Sequence, residues 1–379
     1  MRKIYLKTDK IEYDSDNRNG IEELGLGEGE RMNMADKQGI KNIFNQWEDL
    51  QNFSGVISVS DKNGVIYEKV QGFRNRGEQL PNEMDTAFMI ASGTKLFTSF
   101  AICQLIDQGK LSLDSRIGDI LPHELKKIDK DVTIFHLLTH TSGIWDYFEA
   151  IEKISGLNDR SIFDRYPVHK WINLEFYLAL FNELPNKIKP GSEAEYSNSN
   201  FILLGLVIET ISQKSYRDYV KEHIIEPLNL RRTGFYPTNN LPSNTAIGYV
   251  EDEVTKEIVA NTFIIPIIGS PDGGLYTCTQ DMEILWKAVF SHQLFSENML
   301  EKMVVPYSEE DYHRFGLGVM IDEKEKGTIY YHSGADEGVR FISMYSPETE
   351  SIATIIGNTD LNIFDLVGGL MSLLTVCST

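Results

Sequence analysis

The segment Ser92-Gly93-Thr94-Lys95 stands at the predicted start of a long apolar helix and pairs a hydroxyl with an amine. Side chains three residues apart lie on one face of a helix, so the Ser92 hydroxyl and the Lys95 amine are expected to be neighbours. A partly desolvated lysine can accept the proton of a serine and turn it into a nucleophile. The segment therefore predicts a hydrolase that forms an acyl-enzyme, although an ordinary helix start fits the same four residues.

Sequence patterns on both sides of this segment predict an α+β fold. Apolar residues at helical spacing predict helices at Lys37–Leu50, Thr94–Gln108, Phe135–Leu138, Leu174–Phe181, Phe201–Ile211, Tyr216–Ile225 and Asn362–Leu374. Strand-like runs occur at Ser54–Ser60, Gly64–Val70, Gly316–Ile321, Thr328–His332, Val339–Tyr345 and Ile352–Ile356. We therefore expect one antiparallel sheet built from the N- and C-terminal segments and flanked by helices in an α/β sandwich, with an inserted, mostly helical subdomain at about residues 110–245.

Composition limits the domain organisation and the partners. The 41% of hydrophobic residues can bury a large core, enough for one large domain or two interleaved ones. Residues 1–35 are rich in charge and glycine, so we expect a flexible tail there, and we assign residues 36–379 to a single catalytic domain. The 36 basic and 56 acidic residues give a net charge of −20, which opposes binding to nucleic acid or to an anionic membrane. The scattered cysteines are predicted to be free thiols: Cys103, Cys278 and Cys377.

Two terminal segments bear on location. The N-terminus meets charged residues before any apolar run long enough for a signal peptide, so we expect a cytoplasmic protein, or an exported one if the native start lies upstream. The weakly polar stretch from Leu366 to Val376 is too short for a membrane span, and we expect it to be a core helix.

The second motif is Tyr196-Ser197-Asn198, which follows the turn signal Lys189-Pro190-Gly191 and precedes an apolar helix. Its polar side chains are therefore expected on a loop. A tyrosinate is a strong base, but tyrosine ordinarily has a pKa of about 10, so this role needs a nearby cation such as Lys95. The alternative is a turn in which the Asn or Ser side chain caps the helix that follows.

The third motif, His332-Ser333-Gly334, ends a strand-like run, and the residues from Ala335 to Gly338 predict a turn. A glycine there allows a ligand to approach the strand edge. A backbone N–H at the strand end can stabilise an oxyanion, and His332 can donate a hydrogen bond into the same space. The alternative is a simple hairpin with a surface histidine.

The sequence contains S-x-x-K, Y-x-N and H-[ST]-G once each, in that order. This order resembles the penicillin-recognising serine hydrolases, in the branch that holds class C β-lactamases, D-alanyl-D-alanine carboxypeptidases and related esterases and D-amino-acid peptidases. The resemblance extends over about residues 37 to 376, through three further segments: Gly109-Lys110-Leu111-Ser112-Leu113-Asp114, Leu137-Leu138-Thr139-His140-Thr141-Ser142-Gly143 and Pro271-Asp272-Gly273-Gly274-Leu275.

The resemblance implies a β-lactamase/transpeptidase-like fold and a serine hydrolase that acts on an ester or amide through a covalent acyl-enzyme. Ser92 would attack the carbonyl, and Lys95 and Tyr196 would share the proton transfers. In this hypothesis Lys95 lowers the cost of an ionised Tyr196. No metal or organic cofactor is implied.

The resemblance also implies which residues bind the substrate. They are Asn198, His332, Ser333, Gly334 and Ala335. Asn198 would orient the substrate amide, Ser333 would hydrogen-bond the bound acyl group, and the oxyanion hole would combine the backbone N–H groups of Ser92 and Ala335.

The charges near the third motif bear on the substrate, which we expect to be a small molecule or a peptide. β-Lactams and peptidoglycan stems carry a carboxylate, whereas here a largely neutral histidine is followed by Asp336 and Glu337. A neutral ester, or an amide or peptide with a nearby amine, is therefore favoured over efficient β-lactamase activity, unless Arg340 offsets the two acids. The alternative function is a non-catalytic penicillin- or peptide-binding module that keeps the fold.

Two histidines, His136 and His140, are spaced for zinc, but no third ligand is near them in sequence. We interpret His140 as a structural residue of a turn rather than a general base.

Overall fold

The computed structural model describes residues 28–375, except for 122, 124, 157–165, 253, 311–312 and 325. The first helix, α1 (Glu28–Gln46), begins inside the segment that was predicted as a tail, and residues 1–27 of that tail lie outside the described residues. The helix predicted to reach Leu50 ends at Gln46, and a separate 3₁₀ turn follows at Glu48–Asn52.

The strands fall into one large sheet and three short pairs. In chain order the described strands are β1 (Gly55–Asp61), β2 (Gly64–Gln71), β3 (Phe73–Asn75), β4 (Leu80–Pro81), β5 (Phe88–Met89), β6 (Tyr249–Glu251), β7 (Ile258–Ala260), β8 (Tyr276–Thr277), β9 (Ser308–Glu310), β10 (His313–Phe315), β11 (Met320–Lys324), β12 (Gly327–Asp336), β13 (Val339–Ser346) and β14 (Ser351–Gly357). The large sheet is antiparallel, with the order β2-β1-β14-β13-β12-β11-β10-β9. Because β1 lies beside β14, the two ends of the chain share one sheet, which confirms the predicted α+β architecture.

The helices between residues 110 and 245 form the predicted helical region. In chain order the remaining described α-helices are α2 (Thr94–Asp107), α3 (Ile117–Ile120), α4 (Ile134–Leu138), α5 (Tyr147–Ser155), α6 (Leu174–Phe181), α7 (Asn198–Ser212), α8 (Tyr216–Val220), α9 (Thr279–Phe290), α10 (Glu297–Met303) and α11 (Val367–Leu374). The prediction for α6 is confirmed to the residue. The predicted helix at Tyr216–Ile225 is α8 followed by a π-helical turn at Lys221–Ile225.

Both faces of the sheet are covered by helices. Successive residues of a strand point to opposite faces, so Ile57 and Ile355 pack in the cluster with α1 and α11, and their neighbours Val56 and Ile356 pack in the larger cluster with α2 and α7. All four side chains are buried. The sheet is therefore the middle layer between the terminal helices and the helical region.

One strand prediction is wrong over most of its length. The run Gly316–Ile321 was predicted as a strand, but β11 begins only at Met320. Gly318 has a φ of +75°, and a Cβ there would lie 1.8 Å from Ser99 Oγ on α2. Residues 316–319 are therefore a loop packed tightly against α2, which the alternation of apolar residues did not reveal.

Two further predictions concern the cysteines and a membrane span. Cys103 and Cys278 are buried free thiols, as predicted, whereas Cys377 lies outside the described residues. In the part of the chain that the structure describes, no helix is both long and apolar enough to cross a membrane.

Candidate active site

Ser92 lies in a 3₁₀ turn, Ala91–Gly93, which leads directly into α2. Ala91 has a φ of +43°, a conformation that costs a non-glycine residue energy, and Thr94 Oγ1 holds the turn by donating to the Ala91 carbonyl at 2.8 Å. A Cβ at Gly93 would lie 2.3 Å from the Phe341 ring. The turn is therefore fixed against the sheet, with the Ser92 side chain partly exposed at the helix start.

Lys95 is completely buried one helical turn after Ser92. Its Nζ lies 3.0 Å from Ser92 Oγ, 2.7 Å from Asn198 Oδ1 and 2.7 Å from the carbonyl oxygen of Asp272. Burial lowers the pKa of Lys95 to about 8, against the opposing effect of the negative charges on Asp272 and Asp146. A substantial fraction of the amine is therefore neutral slightly above neutral pH, which is what a proton acceptor needs.

Tyr196 reaches the same oxygen as Lys95. Its Oη donates to Ser92 Oγ at 3.0 Å, and its ring stacks on His140 with centroids 4.5 Å apart. Lys95 Nζ lies over the ring, 5.0 Å from its centroid. Burial raises the pKa of Tyr196 far above its ordinary value, so the hydroxyl keeps its proton at neutral pH. The hypothesis of an ionised Tyr196 stabilised by Lys95 is therefore not supported, and Tyr196 is placed as a donor.

Asn198 is the first residue of α7, and its backbone N–H donates to Asp146 Oδ2 at 2.7 Å. The preceding Ser197 is the N-cap of the helix, but its side chain makes no capping hydrogen bond. The alternative that Asn198 or Ser197 caps the helix through its side chain is therefore wrong, because the Asn198 side chain accepts from Lys95 instead.

The third motif lies inside β12, which continues to Asp336, so the prediction that the triplet ends the strand is wrong. A Cβ at Gly334 would lie 2.2 Å from the Ile90 carbonyl and 2.9 Å from the Ser92 backbone nitrogen. A glycine is therefore required for β12 to approach the Ser92 turn. Ser333 and Ala335 alternate with Gly334 and point to the other face of the strand.

The edge of β12 beside Ser92 has no neighbouring strand among the described residues. β11 pairs with β12 from Gly327 to Tyr331, and no described strand continues this pairing along residues 332–336. Backbone N–H and C=O groups on an unpaired edge can bind an extended ligand.

His332 is buried, and its Nδ1 lies 2.7 Å from the Ser333 carbonyl. Burial, together with the charge of Lys95, lowers the pKa of His332 to about 3, so the ring is neutral at physiological pH. With its Nδ1 proton donated to that carbonyl, Nε2 is an acceptor rather than the expected donor. The alternative of a surface histidine is wrong.

The two acids that follow the third motif, Asp336 and Glu337, lie in different places. Asp336 shares a face of β12 with Gly334 and is partly buried, and burial raises the pKa of Asp336 to about 7. Glu337 lies in the turn to β13. Arg340, which was considered as an offsetting cation, forms a salt bridge with Asp360 and donates to the Asp336 carbonyl oxygen.

The loop that carries Asp272 is held along α2. Thr98 Oγ1 donates to the Pro271 carbonyl at 2.6 Å, and Leu275 N donates to Thr94 Oγ1 at 3.0 Å. Gly274 has a φ of +88° and donates to the Ala91 carbonyl. These contacts hold the loop close against the Ser92 turn and the first turn of α2.

Sequence reasoning missed the residues that surround Lys95 on its helical side: Asp146, Tyr147 and Asp272. Asp146 could have been found as an aspartate in the N-cap position before α5, where its Oδ1 accepts from Phe148 N at 2.9 Å. Asp272 was quoted only as part of a loop segment.

The two histidines with zinc-like spacing serve separate contacts. His136 Nδ1 accepts from Thr133 N, whereas His140 Nδ1 accepts from Ser197 N and its ring supports Tyr196. Among the described residues, no group of three or more potential metal ligands comes together.

The family model described as Beta-lactamase matches residues 40–371. The chain belongs to the beta-lactamase family. Within this family, the chain is similar to a penicillin-binding protein from Bacillus halodurans, with 34% identity, a TM-score of 0.78, and coverage of 88% of this chain and 98% of that one. The predicted fold family is therefore confirmed.

Curated relatives extend the likeness. The putative penicillin-binding protein PbpX of Bacillus subtilis (strain 168) is 28% identical over 312 residues, which are 82% of this chain and 72% of that protein. Protein flp of Staphylococcus aureus (strain MW2) is 30% identical over 226 residues, which are 59% of this chain and 42% of flp, so the match spans less than half of that protein. A D-stereospecific amidohydrolase from Streptomyces sp. shares the fold at 22% identity, with a TM-score of 0.72 over 91% of this chain and 99% of that one.

Proposed function

We propose that this beta-lactamase family member is a serine hydrolase that cleaves an ester or amide through a covalent acyl-enzyme on Ser92. The observation that carries the proposal is the placement of Lys95 Nζ and Tyr196 Oη, each 3.0 Å from Ser92 Oγ. A nucleophile within hydrogen-bond reach of a potential base is the arrangement that covalent catalysis requires.

Lys95 is the proposed proton acceptor. A neutral amine has two hydrogens and one lone pair, and Lys95 Nζ has two carbonyl acceptors besides Ser92 Oγ, namely Asn198 Oδ1 and the Asp272 carbonyl oxygen. Once these acceptors take the two hydrogens, the lone pair faces the Ser92 hydroxyl. Ser92 Oγ then bonds to the substrate carbonyl carbon while its proton passes to Lys95, and the lysine returns a proton to the leaving group.

Tyr196 and the backbone complete the proposed chemistry. The protonated Tyr196 hydroxyl donates to the reacting oxygen of Ser92 and, after attack, is positioned beside the leaving group. The oxyanion would be bound by the N–H groups of Ser92 and Ala335, because Gly334 brings β12 against the Ser92 turn. Deacylation would use the same groups, with water in place of the leaving group.

The charges around the site support a substrate without a carboxylate near β12. His332 is neutral, Arg340 is engaged by Asp360, and Asp336 shares the face of Gly334. We therefore favour a neutral ester, or an amide or peptide with an amine nearby, over a β-lactam as the efficient substrate.

The experiment compares a chromogenic cephalosporin, a short-chain nitrophenyl ester and a D-alanine anilide side by side. We expect the ester or the anilide to turn over faster, and rapid cephalosporin hydrolysis would overturn the preference. A fluorophosphonate should transfer its phosphonyl group to Ser92 of the wild-type protein with loss of fluoride and the serine proton, and the added phosphonyl mass should be absent from the Ser92→Ala variant, in which turnover should fall on the order of 10⁴-fold or more. Labelling that persists in the variant would refute the nucleophile, whereas acylation without turnover would support a binding module.

A further inference from the structure

Both carbonyl acceptors of Lys95 are held by the start of α5. Asp146 is the N-cap of this helix, and its Oδ2 accepts the backbone N–H of Asn198 at 2.7 Å. Asn198 Oδ1 in turn accepts from Lys95 Nζ at 2.7 Å. The Asp146 carboxylate is therefore linked to the Lys95 amine through two successive hydrogen bonds, and it holds Asn198, the first acceptor, in place.

The adjacent residue, Tyr147, fixes the second acceptor. Its Oη donates to Asp272 Oδ2 at 2.7 Å, and Ser270 Oγ donates to Asp272 Oδ1 at 2.6 Å. Tyr147 and Asp272 are each only 4% exposed. Because both carboxylate oxygens are hydrogen-bonded inside the protein, the backbone carbonyl of Asp272 is held in place under Lys95.

We propose that Asp146, Tyr147 and Asp272 form a clamp that positions the Lys95 amine, and that the Asp272 carboxylate sets the pH range in which Lys95 takes the proton of Ser92. The second part rests on the function proposed above. The three residues of the clamp act through Lys95, so they are positioning residues rather than catalytic ones.

The charge balance around Lys95 supports this role. The titratable groups that face it are Tyr196 before α7, His140 after α4, His332 on β12, Asp146 on α5 and Asp272 on its loop. Burial lowers the pKa of both histidines and raises the pKa of Tyr196, so these three groups are neutral at neutral pH. The two carboxylates remain, and their negative charge raises the pKa of Lys95 against burial.

The direct test is a pH titration of the Lys95 side chain by NMR of protein with ¹³C-labelled lysine, with the signal identified by its absence in Lys95→Met. Asp272→Asn replaces the carboxylate by an amide of the same shape, which can still form hydrogen bonds but has no charge. The pKa of Lys95 should therefore fall by about one unit. Asp146→Asn should move it in the same direction. Tyr147→Phe keeps the charge of Asp272 and should change the pKa less.

The matched control is Glu152→Gln, because Glu152 lies on the same helix and is exposed, and its substitution makes the same change in charge as those at the clamp. Its Lys95 titration should equal that of the wild type. Thermal unfolding of each variant verifies that the fold is intact.

The kinetic readout is the pH dependence of acylation by a nitrophenyl ester. The rise of the rate with pH should move to lower pH in Asp272→Asn by the same amount as the NMR titration, whereas a merely structural defect would lower the rate equally at every pH. An unchanged Lys95 titration in both Asp272→Asn and Asp146→Asn would overturn the clamp. A shifted titration in a protein that no ester acylates would uphold the clamp and refute the proposed function.

Discussion

Ser92 lies between two walls that differ in chemistry. The sheet wall, residues 332–336 of β12, offers a neutral histidine and a backbone edge without a neighbouring described strand. The helical wall, which is the start of α5 with the loop at residues 270–275, carries the partly buried carboxylate of Asp146 and the buried carboxylate of Asp272, which hydrogen-bond to the groups around Lys95.

The difference separates two tasks. On the helical wall, the hydrogen bonds of Asp146 Oδ2 and of the Asp272 carboxylate hold the two acceptors of Lys95, so in the proposed mechanism this wall acts on proton transfer. The sheet wall supplies backbone groups, so in the proposed mechanism it acts on how a substrate carbonyl is held. Damage to either wall should therefore leave a distinct kinetic signature.

The largest expected effect comes from removing the base of the helical wall. Lys95→Arg keeps a positive charge, but arginine does not lose its proton, so acylation should fall by about 10²- to 10⁴-fold. The measurement is kcat/KM for a nitrophenyl ester across pH. In the wild type the rate should rise with pH through about 8, the pKa of Lys95, and level off above it, because the neutral amine is the active form.

Tyr196→Phe is the matched comparison for this prediction. It removes a donor and not the proton acceptor, so the rate should fall less and the rise towards pH 8 should remain. If the rise disappeared in Tyr196→Phe and persisted in Lys95→Arg, tyrosine would be the base and the pKa argument would be wrong.

The three residues of the proposed chemistry could be predicted from the sequence, whereas the three residues of the clamp could not. Ser92, Lys95 and Tyr196 could be placed together because each lies in a short motif beside a helix or turn, and the order of the motifs resembles one family. Asp146, Tyr147 and Asp272 could not, because they meet Lys95 through contacts between residues up to 177 positions apart. No local periodicity reports such contacts.

The errors on the sheet side have a physical cause as well. Gly316–Ile321 alternates like a strand, yet the close approach of Gly318 to Ser99 makes its first residues a loop. No pattern in the sequence predicts that β12 continues past His332, because the length of a strand also depends on which part of the protein packs against its end. Here the packing partner is the Ser92 turn, which lies some 240 residues earlier in the chain.

A smaller effect is expected from damage to the sheet wall. In Gly334→Ala the new methyl group would lie 2.2 Å from the Ile90 carbonyl, so β12 and the Ser92 turn must separate. A displacement near 1 Å at a reacting group can cost about 10²-fold in rate, and forced overpacking costs about 1–3 kcal/mol of stability. The measurements are kcat/KM and thermal unfolding.

Gly77→Ala is the control for this variant. Gly77 is exposed, and a Cβ there would meet only Asn75 Oδ1, at 3.6 Å. The pH profile of Gly334→Ala should keep the wild-type rise towards pH 8 while its overall height falls, because Lys95 and its carbonyl acceptors are untouched. A shifted pH profile would show that the two walls are not separable.

The smallest expected effect tests the charge of the sheet wall. Asp336→Asn removes the acid on the face of Gly334, so hydrolysis of a succinylated D-alanine anilide should improve about five-fold relative to the neutral N-acetylated D-alanine anilide, as roughly 1 kcal/mol of repulsion is lost. Glu297→Gln makes the same change in net charge at an exposed residue of α10 and should leave the ratio unchanged.

The pH dependence of this ratio identifies the responsible group. The pKa of Asp336 is raised to about 7, so in the wild type the carboxyl is neutral well below pH 7 and repels an anion only above it. The preference for the N-acetylated D-alanine anilide, which has no titrating group, should therefore grow as the pH rises through 7, and Asp336→Asn should abolish this component. Since Lys95 acts on both substrates alike, its titration cancels from the ratio. A ratio that still changed near pH 7 in Asp336→Asn would assign the discrimination to another group.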